Sequence, residues 1–283
     1  MAEENDKIVT QLNNEDEFMY EYVELLNRTI ELIDNIIQLK YFSNELPKKI
    51  TRDESVIGGN LTRLRKLSAS FLQNICEKKL EICLILNRCI AETAINTKFL
   101  IIKGEDNVKK NYIKYSLITE KNLWEIILSN VKNRNDDILP IEERMQKSIQ
   151  NSFNKSDFDL DEVRKSSKWK SIKERAYLVE GEMFYNVFYG NSSHSIHGNW
   201  QDLLSNNLKK IEDGFELNIK WNKPRPQIMD GVISLNIEIV KTFCEYELPN
   251  NDAMVSIIND CKILYDYHLF LVLKHEEFRK ANY

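Results

Sequence analysis

The stretch "EDEFMYEYVELLNRTIELIDNIIQLKYF", residues 15–42, decides the class of fold. Phe18, Tyr22, Leu25, Leu26, Ile30, Ile33, Ile36 and Ile37 recur at helical spacing, mostly three or four residues apart. That spacing gathers them into one apolar stripe of a long helix, with acidic and amide groups opposite. The pattern returns from Leu61 to about Cys76 and runs on through "LEICLILNRCIAETAINTKFLIIKG", where Gly104 is a natural stop. A further helix is predicted over residues 105–134, and a shorter one from Pro140, a residue favoured in the first turn. Two long helices close the chain, near 226–247 and 252–281. Between them stand a break at "ELPKKITRDESVIGGN" (45–60), marked by Pro47 and the Gly58-Gly59 pair, and one stretch that reads as extended, "GFELNIKWNKPRPQ" (214–227).

The composition agrees. Only 8 glycines and 5 prolines occur in 283 residues, too few for the frequent turns of a sheet protein, while 42% hydrophobic residues can build a core. No period of a solenoid repeats. The expectation is an all-α chain: a loose acidic tail over residues 1–14, then one helical domain over 15–283. A net charge of −5 argues against a dedicated nucleic-acid coat. The five cysteines form no CxxC pair and sit among apolar residues, as buried thiols of a reducing compartment do. The N-terminus lacks the apolar core of a signal peptide. The most apolar helix, Leu80 to Ile102, carries Glu81, Asn87, Arg88, Glu92, Asn96 and Lys98, too many polar groups for a lipid-exposed span. The predicted location is cytoplasmic, with no membrane contact.

The chemistry concentrates in "EGEMFYNVFYGNSSHSIHGNW", residues 180–200. It reads as a buried helix, yet Tyr185, Tyr189, Ser193 and His197 fall four residues apart, and Tyr189, Ser193 and His197 with Glu182 and Asn186 form a narrow polar strip between flanks that include Tyr185 and Ile196. Buried polar groups need partners, because each unsatisfied one costs about 1–3 kcal/mol. Arg88 and Glu92, on one face of the 80–102 helix with Glu81 and Asn96, are the natural candidates. Two readings stand. One is a polar network that fixes the register of two core helices. The other is a pocket, with His197 as acid or base, Arg88 for an anion, and Tyr189 and Ser193 as donors. Gly198 predicts a left-handed cap that puts His197 in the last helical turn, where chemistry is accessible. His194 and His197 make an HxxH pair, but no HExxH, DxD or cysteine cluster accompanies it, and no metal or cofactor is expected.

A basic run, "VRKSSKWKSIKER" (163–175), offers Arg164, Lys168, Trp169 and Lys170 to a phosphate and a base, or forms a solvated loop. Lys209, Lys210, Lys220, Lys223 and Arg225 add positive charge further on. His268 and His275, seven residues apart on one helical face, read as core or interface histidines.

Taken in order, "RCIAE" (Arg88, Glu92), "KW" (Lys168, Trp169), "ERA" (174–176) and Y-x3-Y-x3-S-x3-H (Tyr185 to His197) resemble the bacterial helical proteins of domain of unknown function 5677, over about residues 60–205. That family looks HEPN-like, and the resemblance therefore implies a helical bundle that dimerises and cleaves RNA without metal, as toxins and phage-defence nucleases of that superfamily do. It implies His197 as acid or base, Arg88 on the phosphate, Glu92 as their orienting group, and RNA and a second copy of the chain as partners. The superfamily's R-x4–6-H motif is incomplete here: residues 191–196 hold no arginine, so Arg88 or the 164–175 run must supply the cation in space. The alternative is a non-enzymatic module for a partner protein or a small anionic ligand.

Overall fold

The computed structural model describes residues 12–163, 169–182, 185–186 and 193–282. In chain order the elements are α1 (Glu15–Tyr41), β1 (Phe42–Ser43), β2 (Leu46–Pro47), α2 (Arg52–Cys76), α3 (Leu80–Lys103), α4 (Asp106–Ser116), α5 (Ile118–Asn133) and α6 (Pro140–Lys155). A short 3-10 turn, Leu160–Glu162, precedes α7 (Ile172–Val179), α8 (Ser193–His197) and α9 (Trp200–Asp202). A π turn over Leu203–Asn207 leads to β3 (Leu208–Ile211) and β4 (Gly214–Leu217). A 3-10 turn, Pro226–Met229, leads into α10 (Asp230–Glu247), and α11 (Asp252–Asn282) ends the chain. The class is all-α, as the periodicity requires. Among the described residues the strands make two isolated antiparallel hairpins; β4 falls on the start of the stretch predicted to be extended, and β3 precedes it.

The chain packs as two compact units, one of Met1–Lys49, Ile57–Ile102 and Ile172–Tyr283, the other of Ile50–Val56 and Lys103–Ser171. In the larger unit α1, α10 and α11 pack against one another. The predicted stripe of α1 is the buried one: Phe18, Tyr22, Leu25, Leu26, Ile30, Ile33 and Ile36 all lie in the core. They meet Val232, Ile233, Ile239, Val240 and Phe243 of α10 and the Ile257, Cys261, Leu264, His268, Leu271 and His275 stripe of α11. Each such apolar side chain contributes about 1.5–3 kcal/mol by leaving water. A buried polar chain crosses this core: Ser68 Oγ donates to Asn236 Oδ1 (3.2 Å), Asn236 Nδ2 to Thr29 Oγ1 (3.1 Å) and Thr29 Oγ1 to the Leu26 carbonyl (2.8 Å). It ties α2, α10 and α1 in one register, since sliding any of them strands a buried amide or hydroxyl.

Two expectations are corrected. The break over 45–60 ends early, because α2 begins at Arg52 and contains both glycines. Its start is a capping box: the Thr51 N–H donates to Glu54 Oε2 (2.8 Å), and the Glu54 N–H donates to Thr51 Oγ1 (3.2 Å). Gly58 is there for close packing rather than for a turn, since a Cβ at that position lies 3.1 Å from the Tyr41 ring. The helix predicted over 105–134 is two helices, α4 and α5, that divide at the buried Leu117.

The smaller unit has its own core of Leu117, Ile127, Ile149, Phe153, Phe158 and Val163. Its irregular return is fastened by cations: Lys121 Nζ donates to the carbonyls of Leu160 and Val163 (2.8 Å each), and Arg52 lies over the Phe158 ring (4.7 Å) while donating to the Ser156 carbonyl (3.2 Å). Arg134 pairs with Glu142, which also caps α6 through the Leu139 N–H. These contacts hold the Glu142 carboxyl below its ordinary range.

Candidate functional site

Helix α3 has two unlike faces. Cys83, Ile90, Ala94 and Ile101 line one face and are buried in the core. Glu81, Ile85, Arg88 and Glu92, spaced four, three and four residues apart, share the other face. Arg88 is half-buried there, and Glu92 is exposed. The face expected to carry the guanidinium–carboxylate couple is therefore open to ligands at Glu92.

Helix α8 is short and ends as its sequence dictates: Gly198 takes the left-handed conformation (φ 54°) directly after His197. Asn199 then caps the next helix, its side chain accepting from the Asp202 N–H at 3.2 Å. The expectation of a buried polar strip does not hold at the described positions. Asn186 and His197 are exposed, Ile196 is exposed, and Tyr185 is half-buried edge-on against Tyr177 (5.8 Å). The physical reason is local: in the described turn, Ser193–His197, Ile196 is the one apolar residue, too little to draw that turn into a core. Tyr189 lies outside the described residues, as does the Ser193 side chain; Ser193 begins α8.

Between the start of α3 and the segment that follows α8 lies an open cleft of about 430 Å³. Glu81 and Ile85 of α3 line it together with Ser195 of α8 and with Asp202, Asn206, Asn218 and Trp221. The floor is held by a dense amide network. Glu81 Oε1 accepts from the Asn222 backbone N–H (3.1 Å) and from Asn222 Nδ2 (2.9 Å), while the Leu80 N–H donates to the Asn222 carbonyl (3.0 Å). Asn218 Nδ2 donates to the Asn206 carbonyl (3.2 Å), and Asn206 Nδ2 to Asp202 Oδ1 (2.9 Å). These bonds clamp residues 218–222 onto the first turn of α3. Beside the cleft the rim is apolar and exposed: Trp221 at 56%, Ile219 at 92% and Leu217 at 80%. Trp200 stands edge-on to Phe215 (5.6 Å), and Lys210 lies over the same Phe215 ring (4.4 Å).

The basic run divides differently. Arg164 and Lys168 lie outside the described residues. Trp169 and Lys170 belong to the smaller unit, where Trp169 is half-buried edge-on to Tyr112 (5.2 Å) and Lys170 is exposed. Within the larger unit, α3 and α8 both contribute to the cleft, through Glu81, Ile85 and Ser195, and the sequence motif supplies their neighbours Arg88 and His197. The cleft's own asparagines and Trp221 carry no motif; the one sequence signal for them is the density of amides in "SNNL" and "NIKWN".

Other polar groups are turned inward and paired. Lys98, 7% exposed, donates to Glu180 (2.9 Å) and Glu238 (3.0 Å). Burial opposes its charge, but the two carboxylates outweigh burial and hold its pKa above the ordinary value; burial in turn pushes the Glu180 carboxyl up. His268 and His275 are core residues, each with Nε2 on a carboxylate, Asp230 (2.9 Å) and Glu15 (3.0 Å). Cys83, Cys244 and Cys261 are buried, and burial raises their thiols to about 12, 11 and 12; Cys76 is exposed. Among the described residues no group of three His, Cys, Asp or Glu side chains is arranged to hold a metal ion, and no helix is long and apolar enough to cross a membrane.

A family of unknown function, DUF5677, matches residues 54–215, and the chain belongs to it. That span contains Arg88, Glu92 and His197, together with the α3 wall of the cleft. No curated protein and no solved structure matches the chain.

Proposed function

We propose that this chain is a HEPN-like, metal-independent RNA endonuclease that works as a homodimer in a phage-defence or toxin system. The observation that carries the reading is the position of His197: it is exposed at the end of a helix whose Ser195 lines an open cleft. A histidine meant only to fix helix register is sealed and paired, as His268 and His275 are. An imidazole is suited to take a proton from a ribose 2′-OH and return one to the leaving 5′-oxygen at neutral pH. The 2′-oxygen attacks the adjacent phosphorus, the P–O5′ bond breaks, and a 2′,3′-cyclic phosphate remains. Negative charge grows on the non-bridging oxygens during that attack, and Arg88 is the cation assigned to it. Glu92 orients Arg88 or His197, and Tyr189 and Ser193 donate hydrogen bonds.

The test is incubation of purified protein with mixed RNA in the presence of a chelator, beside His197→Ala and Arg88→Ala. The expected result is cleavage leaving cyclic phosphate ends, reduced at least about 100-fold by His197→Ala. No histidine-dependent cleavage in any oligomeric state removes the nuclease reading and leaves a non-enzymatic binding module. Loss of cleavage on chelation contradicts the metal-free mechanism.

A further inference from the structure

The cleft asks for a ligand of particular chemistry. Its volume, about 430 Å³, suits a small molecule or one residue of a polymer. Its floor is polar and rigid, because Glu81, Asn206, Asn218 and Asn222 bond one another. Among the described residues the Asn207 amide and the Lys220 ammonium make no side-chain hydrogen bond, and both line the cleft. The edge of the cleft offers the exposed face of Trp221. Charge is divided across the site: Glu81 and Asp202 make the floor acceptor-rich, whereas Lys220 is the cation in the lining.

We infer that this cleft binds a nucleotide, its base against Trp221 and its phosphate on Lys220. A flat heterocycle with N–H and carbonyl groups on one edge satisfies both surfaces at once. The indole stacks on its face, and Asn207 with the free oxygen of Asp202 meets its edge. The carboxylates exclude the opposite orientation, since a phosphate against Glu81 and Asp202 is repelled. Within residues 209–225 the sequence holds Lys209, Lys210, Lys220, Lys223 and Arg225 against Glu212, Asp213 and Glu216; of these cations Lys220 lines the cleft, and Lys223 is engaged by Asp16 (2.5 Å). The site takes from the RNA-directed reading only the expectation that the nucleotide arrives as an unpaired residue of RNA; a free nucleotide presents the same chemistry.

Binding is measured by fluorescence anisotropy in the His197→Ala background, so that cleavage plays no part. The probes are a labelled single-stranded RNA decamer, the matching RNA duplex, and unlabelled nucleoside monophosphates as competitors. Trp221→Ala is expected to weaken the single strand about 5- to 100-fold. Lys220→Ala weakens it with a shallower dependence on salt, and Tyr246→Ala, an exposed aromatic of α10 outside the cleft, leaves it unchanged. Thermal melting confirms that each variant is folded. Equal RNA binding by Trp221→Ala and the parent overturns the cleft but spares the RNA-directed reading. Trp221-dependent monophosphate binding without RNA binding keeps the site and overturns that reading. No binding of any probe overturns the site.

Discussion

The histidines of this protein live in two unlike regions. His268 and His275 sit in the α1–α10–α11 core, each against a carboxylate, with Phe18 and Phe278 stacked around His275. His197 stands exposed at the C-terminal end of α8 beside a polar cleft. The same side chain therefore does opposite work. Inside, the Nε2 of each ring is consumed in fixing helix positions, and removing the ring leaves a half-buried carboxylate without that partner. Outside, its nitrogens remain open to a ligand, and removing it costs the fold little. The same contrast divides Lys98, clamped by two carboxylates in the interior, from Lys220 at the cleft.

The largest expected effect probes the interior. Lys98→Met leaves Glu180 and Glu238 facing each other without their cation, and stability is expected to fall by about 3–5 kcal/mol, read by thermal or urea unfolding. The sign with pH follows from the raised folded pKa of Lys98: its contribution is complete below the ordinary lysine range and is lost as pH rises through the folded value. The parent should therefore show an alkaline loss of stability above about pH 10.5 that Lys98→Met lacks. A variant as stable as the parent at pH 7 contradicts the interior role.

The comparison sharpens with His275→Ala, expected to cost about 2–3 kcal/mol for the emptied space and the orphaned Glu15. His197→Ala should stay within about 0.5 kcal/mol of the parent, as surface changes do. Equal destabilisation by the two erases the distinction between the regions. The smallest effect is chemical. Native protein treated with iodoacetamide should label at Cys76 while Cys83, Cys244 and Cys261 resist, because burial keeps those thiols protonated and out of reach. Labelling followed by peptide mapping checks it.

The sequence made the helical scaffold legible because periodicity is a local signal. Seven of the eight apolar residues read along α1 are buried; Ile37 is half-buried. The Gly198 cap and the Pro140 start appear where their residue types place them. Reading failed where a distant partner decides. Gly58 punctuates a turn by type, yet it lies inside α2 because the Tyr41 ring needs the space. The 180–200 stretch has the hydrophobicity of a core helix, but the turn that ends at His197 has too little apolar surface of its own to be drawn inward. The cleft was the least legible feature, since Asn222 meets Glu81 across more than a hundred residues of chain, and Asn206 and Asn218 join it through contacts that follow no fixed spacing.

The most direct measurement is a single-turnover cleavage assay on end-labelled single-stranded RNA, with chelator present, comparing the parent, His197→Ala and a folded His275→Ala. Cleavage by the parent and by His275→Ala, with the rate of His197→Ala at least about 100-fold lower, is the predicted result. Equal rates in the parent and His197→Ala, or no cleavage by either, contradicts the assignment of His197 to chemistry.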